Sequence, residues 1–210
     1  MSKFLAYGTF LLVFANVGLA AVEPAIVQGP GQWTVEVKFE KPQQLVLPWG
    51  GDGQARYWYT IISVTNRTGQ DVDFYPRCEL MTDTFQIVPA SRNVPPVVFE
   101  KIKQRHQRRY PLLESLTQVD KRILEGEDNT RDIAIIWKDF DKAATGFRLF
   151  ITGLSNETAV VKHPVAVDAN GAPVQVFLRK TLALDYILRG DPALRSLVEV
   201  AYKGKSWVMR

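Results

Sequence analysis

The side chains with chemical potential in this chain are few, and their spacing limits what each can do. His106 and His163 are its two histidines. A zinc centre needs three or four Cys, His or carboxylate ligands at short intervals, and neither histidine has such a neighbour. No metal site and no cofactor is expected. Cys78 is the single cysteine, so no internal disulfide can form, and the expected role is that of a small buried hydrophobe. Nothing beside it resembles an activated thiol that would pair with a histidine base. Ser155, in "GLSNE", lacks the second glycine of a nucleophile elbow. The "GGDG" at 50–53 has neither the GK[ST] ending nor the following helix of a phosphate cradle. In "EGEDNTRD", Glu125, Glu127, Asp128, Asn129 and Asp132 are oxygen donors of the kind calcium takes, but their spacing is not that of an EF-hand. A solvated turn is expected there, and no catalytic residue is assigned.

Two features are candidates for binding. The stretch "KIKQRHQRRY", residues 101–110, holds five basic residues and a histidine without an acid. On a helix, Lys101, Arg105, Arg108 and Arg109 share a side and could form a ridge for an acidic polysaccharide, a lipid headgroup or a nucleic acid. The same residues also suit a purely structural role. Cations near a helix C-terminus oppose the negative end of its dipole, and arginine stems lie along apolar stripes. Nucleic acid is disfavoured, because no aromatic residues interleave with the charges. The second feature is tryptophan. Trp33, Trp58 and Trp137 fall on core stripes, whereas Trp49 in "LPWGGDG" and Trp207 in "KGKSWVM" are candidates for exposure and for stacking on a sugar ring. The triplets at Asn66 and Asn156 match the N-x-[ST] pattern, and turn conformation suffices to explain both.

The elements that must position these residues follow a period of two. Trp33, Val35, Val37 and Phe39 alternate with Thr34, Glu36, Lys38 and Glu40, as in a half-buried strand. "RYWYTIISV" is apolar on both faces and belongs in the middle of a sheet. Ile133, Ile135 and Trp137 alternate, as do Phe147, Leu149 and Ile151. Val174, Val176, Leu178, Leu182, Leu184, Tyr186 and Leu188 share one side of a long strand, where Lys180 interrupts the stripe and marks a bend or an edge. The final "SLVEVAYKGKSWVMR" reads as a strand, a turn at 203–205 and a short return. His163, before Pro164, reads as a loop residue. Alternation fails at "RNVPPVVFEKIKQRHQRRYPLLESL", where Val98, Phe99, Ile102 and His106 share a helical arc. A helix within a helical insertion at about 94–118 is expected, capped by Asn93, stopped by Pro111, and packed across an open end or edge of the strands, where it would shield strand amides.

Residues 1–20, with Lys3, an apolar run and a small-residue end, read as a secretory signal peptide. Residues 21–31 then form a flexible mature N-terminus and residues 32–210 a single domain. No second apolar run is long enough to span a bilayer. The formal charge of +4 demands no nucleic-acid partner.

Strands at this spacing indicate an antiparallel β-sandwich. "YWYTIISVTNRTGQDVDFYPRCELMTD", "ILEGEDNTRDIAIIW", "FRLFITGLSNE" and "LRKTLALDY", taken in order, resemble exported bacterial immunoglobulin-like sandwich domains of unknown function. The resemblance spans roughly residues 33–202, and the motifs that carry it are structural. It implies a mainly β, antiparallel immunoglobulin-like fold, here with one basic helix inserted between two strand groups. The inserted helix and the absence of a lipoprotein cysteine depart from the commoner surface-lipoprotein form. The expectation is a non-enzymatic interaction or structural module of the cell envelope, periplasmic or extracellular. Its partner would be an anionic envelope component or another exported protein. An envelope polysaccharide-active enzyme, its carboxylates assembled in space, or a carbohydrate-binding module is the alternative.

Overall fold

The computed structural model describes residues 25–27, 31–48, 50 and 53–210. The expected signal peptide, most of the expected mature N-terminus, and Trp49 lie outside them. The strands are β1 (Ala25–Val27), β2 (Glu36–Phe39), β3 (Gln43–Pro48), β4 (Gln54–Asn66), β5 (Val72–Asp73), β6 (Arg77–Thr82) and β7 (Ile87–Pro89). After helix α1 (Pro96–His106) come β8 (Glu114–Ser115), β9 (Arg122–Ile123), β10 (Gly126–Lys138), β11 (Gly146–Thr152), β12 (Thr158–Val167), β13 (Pro173–Arg189) and β14 (Glu199–Met209). The protein is mainly β, with antiparallel and mixed sheets; β8 runs parallel to β10.

Seven strands form one sheet in the order β1-β12-β13-β11-β6-β7, with β14 also on β13. Five form another, β2-β4-β10-β8, with β3 also on β4. Strand β4 shows why two layers are not enough. Successive side chains point to opposite faces, and both faces of β4 are apolar. Trp58, Ile62 and Val64 join Ile133, Ile135 and Trp137 of β10 in a core shared with Leu80, Leu149, Leu182 and Leu184 of the larger sheet. Tyr57, Tyr59 and Ile61 join Ala134 and Ile136 on the other face, where Val98, Phe99 and Ile102 of α1 cover them together with Tyr110 and Leu113. The smaller sheet is thus buried twice, once by β-structure and once by the helix.

This corrects the expected position of the helix. It covers a face of the five-stranded sheet and not an open end or edge, because exposed β4 and β10 side chains would leave more apolar surface in water than a sheet edge does. Its start differs too. The cap is Pro95, with Pro96 in the first turn and no side-chain capping bond. Asn93 instead takes a left-handed conformation in the preceding turn (φ 54°). The helix stops at His106, and turns carry the rest of the segment to β8.

Other expectations shift for local reasons. Residues 199–209 form one strand with no reversal. A register shift places Tyr186 opposite Tyr202 and Asp185 opposite Gly204, so the residue between bulges out. "EGEDNTRD" opens the long strand β10 with an irregular register. His163 stands within β12, and its Nδ1 accepts from the Val165 and Ala166 amides at 3.2 and 2.8 Å. Lys180 marks the point where β13 changes neighbours. Residues 173–179 pair with β12, whereas residues 180–189 pair with β14. There its Nζ meets Glu157 Oε1 at 2.5 Å and lies over the Trp207 ring. Of the 21–31 segment, Ala25–Val27 pair with β12.

Ile102 is fully buried between α1 and the sheet. Ile102→Ala is expected to lower unfolding free energy by about 2–5 kcal/mol, read from urea denaturation. A change below about 1 kcal/mol would mean the helix is not a necessary cover.

Candidate functional site

The most elaborate polar assembly lies at the end of the five-stranded sheet where β4 begins and β10 finishes. The Pro192–Leu197 3₁₀ segment, which links β13 to β14, folds over this end. Asp191 caps it by accepting from the Ala193 amide (2.8 Å), and Pro192 fills the first position. This delivers Arg195, only 5% exposed, onto the aromatic core. Its guanidinium lies 4.5 Å from the Phe140 centroid and 5.2 Å from that of Trp58.

Asp139 is the hub. Its Oδ1 accepts from the Trp58 indole (2.7 Å) and the Phe140 amide (3.2 Å), with Arg195 Nε at 3.4 Å. Arg56 Nε stands 3.7 Å from Oδ2. Arg56 also donates to the Gln44 carboxamide oxygen, and Gln44 Nε2 donates to the Arg195 carbonyl (3.0 Å). The ring of contacts ties the five-stranded sheet to the 3₁₀ segment. Arg56, Asp139 and Arg195, with Val46, Gln54, Lys142, Ala193, Leu194 and Ser196, line a recess of about 520 Å³. That size lies within the range of small-ligand pockets.

Sequence reasoning missed this site. Arg56 looked like the polar start of an apolar strand, and Arg195 is far from it in the chain. The legible signal was "DPALR", an Asp-Pro helix start that places an arginine one turn later.

The basic helix is divided in role. Arg109 pairs with Glu40 (2.7 Å), and Arg105 Nη1 donates to the Gln44 carbonyl and to Tyr59 Oη, both at 3.3 Å. These arginines fasten the helix end to β3 and β4. Lys101 and Arg108 are exposed and pair with no acid among the described residues. His106 Nε2 lies 2.9 Å from Tyr59 Oη, and Tyr110 donates to Glu40 (2.6 Å). Burial, aided by that bond to Glu40, pushes the Tyr110 phenol up to about 12.

The remaining candidates settle into structural positions. Cys78 is buried, and desolvation raises its thiol well above the ordinary range, the opposite of activation. Asn66 is fully buried, donating to the Gln70 and Ile123 carbonyls (2.8 and 3.0 Å) and accepting from the Thr68 amide. Its amide nitrogen is inaccessible to a glycan. Asn156 bridges Trp33 and Gly31, and Ser155 donates to the Trp33 carbonyl. Trp58 and Trp137 are buried, and Trp207 carries Lys180 on its ring. Among the described residues, no group of three or more His, Cys, Asp or Glu could hold a metal ion. No helix among them is long and apolar enough to cross a membrane. Comparison with family models, curated proteins and solved structures finds no match.

His106 supplies a pH test. Burial lowers its proton affinity most and Arg105 next, with Glu40 opposing. The folded chain therefore binds this proton less readily than the unfolded chain, for which 6.5 is the ordinary value. The His106 contribution to stability is intact above 6.5 and is lost as pH falls through that value towards the lower folded one. Urea midpoints of the native chain should drop from pH 7 to pH 5 more than those of His106→Gln; equal drops would contradict this.

Proposed function

We propose that this chain is a non-enzymatic recognition module, exported and built on an immunoglobulin-like β-sandwich, that contacts an anionic envelope component or another exported protein. The observation that carries this reading is the recess around Asp139, where Arg56 and Arg195 approach a single carboxylate and Lys142 lines the same space. Its polar groups are locked to one another and to a rigid core, an arrangement suited to holding a ligand. The two sheets packed on a common core support the sandwich. Lys101 on the helix and Arg108 in the turn that follows it add an exposed cationic surface. Arg105 and Arg109 contribute less to it, because their charges already serve internal bonds.

At low ionic strength the chain should be retained on an anionic polysaccharide matrix and released by salt, since exposed charge is screened over about 10 Å at 0.1 M. The double variant Lys101→Ala, Arg108→Ala should elute at lower salt with unchanged stability. A native chain that passes through the matrix unretained would defeat the reading.

A further inference from the structure

The recess carries an excess of positive charge. Its lining side chains comprise three cations, Arg56, Lys142 and Arg195, and one anion, Asp139. The neighbouring Asp141 offers Arg195 its carbonyl (3.4 Å), while its carboxylate is held by the Thr84 side chain and the Ala143 amide. Counting Asp141 as well, the cations remain in excess. Arg195 is almost wholly removed from water, where an undercompensated charge is costly.

Arg56 is bonded to Gln44 and Arg195 rests on Phe140 and Trp58, but neither guanidinium has a close carboxylate partner. A guanidinium and a carboxylate meet best as two parallel bonds at about 2.7–2.9 Å. Here Arg195 approaches Asp139 at 3.4 Å and Arg56 at 3.7 Å, each through Nε, and the most direct bond to the carboxylate comes from Trp58. Asp139 orients the arginines without saturating them. Lys142, exposed at the rim, adds a solvent-facing cation, and Val46, Ala193 and Leu194 supply an apolar wall.

We propose that this recess binds the oxyanion of a small ligand, a phosphate monoester or a carboxylate. Its oxygens bridge the Arg56 and Arg195 forks, Lys142 closes over them, and the ligand body rests against Leu194 and Val46. Guanidiniums recognise both groups by the same bidentate geometry. The proposal deepens the recognition reading and rests on it.

The test is titration of the native chain with inorganic phosphate, glucuronate and glucose, followed by the NMR signals of the Trp58 indole N–H and the Arg195 Nε–H. Saturable shifts with phosphate, with glucuronate or with both are expected, and none with glucose; the stronger anion identifies the source of the oxyanion. Lys142→Ala, at an exposed position, should weaken binding at least fivefold without altering the fold. Asp139→Asn, which keeps an acceptor for Trp58 but removes the competing charge, should tighten binding at least threefold. Shifts that do not saturate, or a Lys142→Ala chain with native affinity, would overturn the proposal. Loss of small-anion binding with matrix retention intact would remove this site alone, whereas loss of both would remove the recognition reading with it.

Discussion

A sheet that is apolar on both faces has to be covered twice, and the structure is organised around meeting that demand at β4 and β10. Each fully buried aliphatic or aromatic side chain contributes about 1.5–3 kcal/mol when taken from water. Trp58, Ile62, Ile133, Ile135 and Trp137 point one way, and Tyr59, Ile61 and Ile136 the other. The larger sheet supplies one cover and α1 the other. The helix is consequently an integral layer, and its cationic end follows from its position. Arg105 and Arg109 reach back over the strands to Gln44, Tyr59 and Glu40, and the charges left over face solvent.

The same demand shapes the recess. Trp58 fills the core with its ring but presents an indole N–H at the sheet's end, where a buried donor must be satisfied. Asp139 accepts it, and a carboxylate in that position draws Arg56 and Arg195. The 3₁₀ segment is held there by the aromatic platform under Arg195 and by Gln44. A packing requirement in the core thereby places cations at a surface concavity, and the proposed ligand site lies there.

Much of this was legible in the chain, for reasons specific to each element. The period of two in 33–40 and 182–188 identified strands because each has one face on the core, whereas Val174, Val176 and Leu178 alternate on a stretch of β13 that is only half-buried. The run at 57–64, apolar on both faces, identified a central strand, and Lys180, expected at a bend or an edge, stands where β13 changes neighbours. The helix was legible from its arc, but its destination was not, since nothing local says which surface lacks a cover. Residues 199–209 were misread because Lys-Gly-Lys suits a turn, and only the opposing register of β13 shows that one residue is bulged out. The recess escaped notice for a related reason. Arg56, Asp139 and Arg195 come from three distant segments, and no spacing rule connects them. The serine and asparagine candidates proved to be staples, as at Asn66, where every hydrogen-bonding group of the side chain is engaged.

Amide hydrogen exchange addresses the double burial most directly, because it reports the free energy at which each strand opens. If the five-stranded sheet depends on both covers, amides in 57–64 and 133–137 exchange only through global unfolding, at the same opening free energy as those in 182–188. Rapid exchange in 57–64 and 133–137 while 182–188 stays protected would show that α1 and its sheet detach independently, and that the double-sided core does not hold the molecule together.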